Sequence, residues 1–265
     1  MKQEVRLALI GWGAMAKSLA GALAKGNAPI QVGAIYSEPM PTEPIPSARV
    51  LQSVDELVAW KPTLVAECAG HSAVKAAVPK LLEAGIDVVV ASVGALCDRT
   101  LRDRLQAAAA TGGGQLILPS GAIGGLDALS SARQAGLDKV VYTGRKPPRA
   151  WKGTPAAERW DMDQLSAATV IIAGTAEEAA RLFPQNANVT AAVALAGVGF
   201  ERTSVQLIAD PEVSTNTHEV DASGAFGSMQ VRLANTPLPE NPKTSWLAAL
   251  SLERVIRQQV QRQPF

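Results

Sequence analysis

The sequence predicts an α/β fold in which a domain with a parallel sheet precedes a mixed α/β (α+β) domain whose sheet is largely antiparallel. Three observations predict this fold. A short apolar strand near the N-terminus runs directly into a glycine-rich turn, and strand and helix patterns alternate through roughly the first 120 residues. From about Ile123 the pattern changes, and later strands with alternating polar and apolar residues follow one another in hairpin-like succession.

The first strand and turn have the pattern of a dinucleotide-binding (Rossmann) domain. Residues 6–16 read RLALIGWGAMA, an apolar run followed by G-x-G-x-x-A, with alanine at the third glycine position. The first glycine allows the tight turn, the second lets backbone approach a pyrophosphate, and the small third residue lets helix pack on strand. The helix that starts here aims free N–H groups at the phosphates. The predicted phosphate-binding residues are Gly11, Gly13, Ala14, Met15 and Ala16.

The remaining elements of the first domain follow in regular order. Strands are expected at 30–36, 64–69, 86–91 and 115–118, and helices at 53–57, 73–84 and 98–111, with a proline-rich loop at 39–46. Ligands of parallel sheets bind at the carboxyl ends of the strands. Beyond the glycine turn, these ends carry Ser37, Gly70-His71, Ser92-Val93-Gly94 and Ser120-Gly121-Ala122.

The second domain is expected over residues 123–243, after a first domain at 1–122. Its predicted helices are 124–135, 175–183 (with Thr175 as N-cap) and 189–196. Its predicted strands are 139–145, 203–209, 217–222 and 228–233; 146–160 is a basic loop and 168–173 is an apolar segment. The amphipathic helix 244–260 is expected to dock on the first domain through Trp246, Leu247, Leu250 and Val255.

Composition excludes several classes of partner. The 25 Lys and Arg residues oppose 24 Asp and Glu, so a net charge of +1 provides no basic field for nucleic acid or a membrane surface. No apolar stretch reaches membrane-spanning length, and the N-terminal run is too short for a signal peptide. The two cysteines, Cys68 and Cys97, show no metal-ligand spacing and fit a reducing cytoplasm. We therefore expect a cytoplasmic protein without a metal.

His218 is the main candidate for acid–base chemistry. It lies in the predicted strand NTHEVDA, where alternation puts Asn216, His218 and Val220 on one face. An imidazole titrates near neutrality and so suits a general acid or base. Composition alone slightly favours the alternative, a half-exposed sheet histidine without a catalytic role.

Other polar residues leave two interpretations open. His71 either caps the following helix or lines a substrate cleft. Asn186 and Asn188 either cap a helix or meet a ligand at its N-terminus. Cys97 follows Ser92-Val93-Gly94, but no positioned histidine marks it as a nucleophile. Basic residues that either recognise carboxylates or are solvated are Arg145, Lys146, Arg149, Lys152 and Lys243.

Four stretches together resemble the L-aspartate dehydrogenase family. They are GWGAMA in the glycine turn, PSGAIGGLDAL at 119–129, FPQNANVTAAVALAG at 183–197 and NTHEVDASGAFG at 216–227. The resemblance implies a Rossmann domain followed by a mixed α/β domain that forms a homodimer interface. It also implies oxidation of L-aspartate to iminoaspartate with NAD or NADP, or the reverse reductive amination of oxaloacetate with ammonia.

The resemblance also assigns roles to single residues. The family's catalytic histidine falls on His218, as acid–base group or as the residue that positions the attacking water. Its cofactor-contacting alanine and asparagine fall on Ala122 and Asn188. The nicotinamide is then expected near Ser92 and Gly94. The motifs do not fix the residues that bind the substrate's two carboxylates, and the candidates for that role are His71, Ser120, Lys243 and Thr244.

Cofactor preference stays open at this point. Ser37 stands where an NAD-preferring domain usually has an acidic residue, Glu38 follows it, and no arginine occurs until Arg49. Rival hypotheses are a dihydrodipicolinate reductase-like or homoserine dehydrogenase-like enzyme and a non-catalytic NAD(P)-binding redox sensor. A basic K/R-H-H run, which the first rival requires, is missing from the sequence.

Overall fold

The structure is a computed structural model that describes residues 6–25, 29–45, 47–239 and 241–261, except the side chains of Pro242, Lys243 and Gln261. The chain forms two compact units. The first comprises the residues up to Pro119 and those from Ala249 onward, and the second is Ser120–Ala248. The boundary lies three residues before the expected one, so Ala122 belongs to the second unit.

The first unit contains one parallel sheet with helices in the crossovers. Its strands are β1 (Leu7–Ile10), β2 (Val32–Tyr36), β3 (Arg49–Leu51), β4 (Leu64–Glu67), β5 (Asp87–Val90) and β6 (Leu116–Ile117). Its helices are α1 (Ala14–Leu23), α2 (Val54–Trp60), α3 (His71–Glu83) and α4 (Arg99–Gly112). The sheet order is β3-β2-β1-β4-β5-β6, with every pair parallel. This is the doubly wound dinucleotide-binding order, whose switch point lies between β1 and β4. The predicted fold class of this domain is confirmed.

Two details of the first unit differ from the sequence prediction. The short edge strand β3 was not expected, because three residues give too little alternation to identify a strand. Helix α3 begins at His71 instead of Ala73, with Gly70 as its N-cap. His71 therefore does not cap the helix; it occupies the first helical position.

The second unit contains a mixed sheet covered by helices. Helix α5 (Leu126–Ala132) precedes β7 (Leu137–Lys146) and β8 (Thr169–Thr175); α6 (Ala176–Leu182) and α7 (Ala187–Ala196) precede β9 (Ser204–Ala209), β10 (Asn216–Gly224) and β11 (Gly227–Asn235). The sheet order is β11-β10-β7-β9-β8. All pairs are antiparallel except β7 with β9. The largely antiparallel sheet is confirmed.

The order of this sheet corrects the expected hairpin succession. Strands β9 and β10 are not neighbours, because the longer β7 lies between them and pairs with both. Strand β7 also extends one residue beyond the predicted Arg145, which places Lys146 in the sheet and not in the basic loop. The N-cap prediction for Thr175 is confirmed: its hydroxyl accepts from the Glu178 N–H and forms a capping box.

The C-terminal segment starts later than expected. Strands β12 (Pro237–Leu238) and β13 (Asn241–Ser245) pair before α8 (Trp246–Gln261), so Thr244 lies in a strand and not in the helix. Leu252, Val255 and Ile256 of α8 are buried in a cluster with Leu7 and Leu9 of β1. Trp246 and Leu250, which were expected to dock, are 45% and 44% exposed, so that part of the prediction is wrong. None of the described helices has the length and apolar character of a membrane span.

Candidate active site

The turn after β1 is built to approach a phosphate group. Gly11 has φ +93°, and a Cβ there would come within 2.9 Å of Ala69 at the end of β4. Gly13 caps α1 without a side-chain hydrogen bond, and the space around its Cβ position is open for 4 Å. The first N–H groups of α1 have no intrahelical acceptor, so they suit an anion. These residues fit the pyrophosphate of a dinucleotide.

The end of β2 carries one buried hydroxyl and one carboxylate. Ser37 is buried, and the Tyr36 hydroxyl donates to Glu38 Oε1 at 2.5 Å. This hydrogen bond, with burial, raises the pKa of Tyr36 to about 12. Glu38 is thus fixed one residue beyond the position at which such domains hold the ribose.

A buried carboxylate, Glu67, joins the loops after β4 and β5. Its Oε1 accepts from the Ala69 and Gly70 N–H groups, both at 2.7 Å, and from the Ser92 hydroxyl at 3.0 Å. Its Oε2 accepts from the Ser92 N–H at 3.0 Å. Burial raises the pKa of Glu67, and these hydrogen bonds oppose that shift. Sequence analysis missed Glu67, although a lone carboxylate inside the apolar run LVAECA marks it.

The thiols of this unit are not activated. Burial raises the pKa of Cys97 to about 12, and burial also raises that of Cys68. A thiol with so high a pKa stays protonated and is a poor nucleophile. This environment agrees with the interpretation that Cys97 is not a catalytic cysteine.

In the second unit, His218 lies on β10, between the neighbouring strands β7 and β11. It pairs with Gly144 of β7 on one side and Leu233 of β11 on the other, and it is 4% exposed. The Tyr142 hydroxyl lies 2.8 Å from His218 Nδ1, and the two rings stack with centroids 6.0 Å apart. A Cβ on Gly144 would come within 2.7 Å of that hydroxyl. Gly144 therefore leaves room for the contact between Tyr142 and His218.

The surroundings of His218 keep its imidazole neutral. Burial lowers its pKa from 6.5 to about 3, and the charge of Lys146 contributes further. The sequence argument for His218 as a general acid or base assumed a pKa near neutrality, and burial in the sheet removes that assumption. Its burial also excludes the alternative that His218 is a half-exposed sheet histidine.

Of the described basic residues near this strand end, Lys146 differs from the others in its partners. Arg145 pairs with Asp210 at 3.3 Å, Arg149 donates to the Ser214 carbonyl at 2.9 Å, and Lys152 pairs with Asp163 at 2.7 Å. These contacts indicate that the three residues have structural or surface roles. No carboxylate among the described residues pairs with Lys146.

Lys146 instead contacts an amide and an aromatic ring. Its ammonium donates to Asn186 Oδ1, at the N-cap of α7, and lies 5.8 Å from the centroid of the Trp151 ring. Asn186 thus serves Lys146 and does not cap α7 with its side chain. Burial lowers the pKa of Lys146 to about 8.

The other predicted site residues of this unit have contacts that point to no specific chemical role. The Ala122 carbonyl accepts from Asn235 Nδ2 at 2.8 Å, and Asn235 pairs with Asn216, two residues before His218. Asn188 is exposed in the first turn of α7, and Ser120 is half-buried. Thr244 accepts from Asn241 at 3.0 Å. The side chain of Lys243 lies outside the described residues.

The sheet order and the glycine turn define a dinucleotide-binding oxidoreductase with a separate second unit. Residues 11–119 match the family model for the NAD-binding domain of homoserine dehydrogenase, and residues 127–259 match the model for the C-terminal part of aspartate dehydrogenase. The chain belongs to the L-aspartate dehydrogenase family.

Individual relatives agree with this membership. The chain is 52% identical to the L-aspartate dehydrogenase of Cupriavidus necator over 80% of its own length and 78% of the relative's. It is 48% identical to that of Polaromonas sp. over 95% and 96%, respectively. The crystal structure of aspartate dehydrogenase from Thermotoga maritima is similar with a TM-score of 0.76 at 26% identity, covering 98% of this chain and 97% of that one. An archaeal homoserine dehydrogenase (TM-score 0.62, 12% identity, 98% of both chains) shares only the fold.

Proposed function

We propose that this protein oxidises L-aspartate to iminoaspartate with NAD or NADP, and that hydrolysis then gives oxaloacetate and ammonia. The reverse reaction is the reductive amination of oxaloacetate. The observation that carries the proposal is the 48% sequence identity with an L-aspartate dehydrogenase over nearly the full length of both chains. The matched region includes the second unit with His218. The homoserine dehydrogenase model matches only the dinucleotide unit, so it bears on the cofactor and not on the substrate.

The cofactor is assigned to the carboxyl edge of the parallel sheet. The glycine turn and the start of α1 would bind its pyrophosphate, Ser37 its ribose, and Ser92 and Gly94 are assigned to the nicotinamide end. Ala122 and Asn188 are assigned as further contacts through the resemblance. When bound, the nicotinamide supplies a hydride acceptor. Glu67 serves this site indirectly, because it orders the backbone at Ala69, Gly70 and Ser92.

The catalytic side chain of the second unit is His218. Because its imidazole stays neutral, we assign it a hydrogen bond to the reacting nitrogen or to the water that attacks the imine. His71, Ser120, Lys243 and Thr244 remain the proposed ligands of the substrate carboxylates. The family's motif supports the assignment of His218, which occupies the catalytic position in it.

Two further properties are proposed with this function. The second unit forms the interface of a homodimer, and the protein acts in the cytoplasm. Family resemblance supports the dimer, and the balanced charge and unactivated thiols are compatible with a reducing compartment. Sedimentation velocity on the purified protein tests the dimer: a species of twice the chain mass is expected, and a monomer at all concentrations contradicts it.

A substrate panel tests the activity. L-Aspartate, L-homoserine and L-glutamate are each incubated with NAD and with NADP at alkaline pH, and the absorbance of reduced nicotinamide is followed. Turnover with aspartate that exceeds the others by at least about a hundredfold is expected. Homoserine as the preferred substrate, or dinucleotide binding without turnover of any amino acid, contradicts the proposal.

A further inference from the structure

We propose that Lys146 is a second catalytic residue, which takes a proton from the α-ammonium group of the substrate while His218 acts beside it as a hydrogen-bond donor. The inference rests on the proposed aspartate dehydrogenase function and deepens it. It assigns the proton transfer to a residue of β7 and not to the histidine of β10.

The contact between Tyr142 and His218 determines which imidazole nitrogen carries the proton. Among the described residues, Nδ1 of His218 is the sole hydrogen-bond partner of the buried Tyr142 hydroxyl. If the hydroxyl accepted from Nδ1, its own proton would be buried without an acceptor, which is unfavourable. Burial also raises the pKa of Tyr142, so the phenol keeps that proton and donates it. The proton of the neutral imidazole is then on Nε2.

This tautomer makes His218 unsuitable as the base. A protonated Nε2 has no lone pair with which to accept a proton, whereas its N–H can donate. No described residue forms a hydrogen bond with Nε2, and Nε2 is not among the fully buried unpartnered atoms. The N–H is therefore available to an acceptor oxygen of the substrate, because the substrate's ammonium nitrogen and the iminium nitrogen have no lone pair to accept it.

Lys146 lies on the same face of the sheet as this imidazole. Tyr142, Gly144 and Lys146 alternate along β7, and Gly144 is paired with His218. Lys146 thus lies two residues along β7 from the residue paired with His218, and its charge contributes to the lowered pKa of the imidazole. Among the described residues, the other titratable groups near here are Tyr142, which is engaged by His218, and Arg145, which pairs with Asp210 and with Glu219.

The surroundings of Lys146 favour its neutral amine. Burial disfavours its ammonium form, and the neighbouring Asn186 amide oxygen and Trp151 ring, which attract a cation, offset this less than a carboxylate would. With its pKa near 8, about half of Lys146 is a free amine at that pH, which is the range a base needs for this reaction. An arginine at this position would stay charged at any working pH.

The proton transfer balances as follows. Neutral Lys146 Nζ takes one proton from the substrate R–NH₃⁺, which gives R–NH₂ and the lysine ammonium. The lone pair left on the substrate nitrogen forms the C=N bond as the Cα hydrogen leaves with its two electrons to the nicotinamide. The product is the iminium ion, which is the protonated form of iminoaspartate, and Lys146 later returns its proton to solvent.

Three variants test this assignment on the holoenzyme. Lys146→Arg keeps the positive charge, but the guanidinium stays protonated and cannot accept a proton from the substrate. We therefore expect kcat for aspartate to fall about a hundredfold or more, with little change in KM. Lys146→Met is expected to lose a similar factor, and its kcat no longer rises with pH through about 8. Lys139→Met, an exposed lysine on the same strand, is the matched control and should keep wild-type values.

Two measurements on the wild-type protein without cofactor do not depend on activity. Reductive methylation with ¹³C-formaldehyde labels the lysines, and the methyl signal of Lys146 should titrate near pH 8. A long-range ¹H–¹⁵N spectrum of histidine-labelled protein should show His218 protonated at Nε2 and unprotonated at Nδ1. Lys146→Met and His71→Asn assign the signals.

Several results would overturn the proposal. One is Lys146→Arg with kcat within about tenfold of wild type, because Lys146 would then supply only charge, for example to a substrate carboxylate. Others are a Lys146 signal that titrates together with Lys139, or a His218 ring protonated at Nδ1. A wild-type protein that does not oxidise aspartate instead contradicts the proposed function itself, so the two failures are distinguishable.

Discussion

At the scale of single residues, the pair of Tyr142 and His218 explains how a strand histidine can serve a site without titrating in it. Burial removes the charge from the imidazole, and the phenol fixes its tautomer. Sequence patterns identified His218 through its motif, but they could not reveal Tyr142. The partner lies 76 positions away and is brought to the imidazole by the pairing of β7 with β10.

Removing the Tyr142 hydroxyl tests whether catalysis depends on the Nε2-protonated tautomer of His218. Tyr142→Phe leaves Nδ1 without its donor, so both tautomers become accessible and kcat for aspartate should fall roughly tenfold. Burying an unpartnered nitrogen should also lower the free energy of unfolding by about 1–3 kcal/mol. Steady-state kinetics and urea unfolding measure the two effects. A variant with unchanged kcat would show that the hydroxyl only packs.

The depressed pKa of His218 predicts a dependence of stability on pH. The unfolded histidine takes up its proton below about pH 6.5, whereas the folded one does so only near pH 3. The unfolded state therefore binds more protons between these values, and stability falls as pH falls through that window. From pH 7 to 5 the loss should be on the order of 2 kcal/mol.

Imidazole NMR measures this directly, because the chain has only two histidines. In His71→Asn the remaining signal, that of His218, should stay at its neutral position down to pH 5. A midpoint near 6.5 would contradict the burial argument and restore His218 as a candidate acid–base group.

At the scale of elements, the two glycines of the first turn have different tasks. Gly11→Ala places a Cβ against Ala69 in a left-handed backbone conformation, so it should destabilise the first unit by about 1–3 kcal/mol. Gly13→Ala meets open space and should keep the melting temperature, while dinucleotide affinity falls because the methyl group enters the phosphate's space. Calorimetry and fluorescence titration with reduced nicotinamide separate these effects. Equal losses of stability in both variants would contradict the distinction.

The bridge between the loops after β4 and β5 has a similar test. Glu67→Gln replaces one acceptor oxygen by an amide that must face backbone or hydroxyl donors. We expect a loss of about 1–3 kcal/mol in stability and weaker dinucleotide binding, with His218 unaffected. Glu83→Gln, on the exposed end of α3, is the control. A Glu67→Gln protein as stable as wild type would show that the carboxylate does not order these loops.

Elements with a strong local signal were predictable from the sequence. Thr175 carries its own capping signal, and β1 is wholly apolar and ends in the glycine turn. The order of the second sheet was not predictable, because β7 separates β9 from β10 through long-range pairing that no local pattern encodes. The three-residue β3 and the polar β13 also lack a periodic signal.

At the scale of the whole molecule, the two units supply different information. The dinucleotide unit is similar to several dehydrogenases and therefore says little about the substrate. The second unit carries the family-specific motifs and places His218 and Lys146 on one face of its sheet, where we propose that the proton transfer takes place. The glycine turn is thus evidence for a cofactor, whereas the strands β7 and β10 are the evidence for a particular reaction.

The most direct test of that reaction follows the Cα hydrogen of the substrate. L-[2-²H]aspartate is incubated with the enzyme and NAD or NADP, and the reduced nicotinamide is analysed by mass spectrometry alongside the ammonia released. One deuterium per reduced nicotinamide and one ammonia per turnover are expected. Reduced nicotinamide without deuterium, or no reduction with either nucleotide, would contradict the assignment of this protein as an aspartate dehydrogenase.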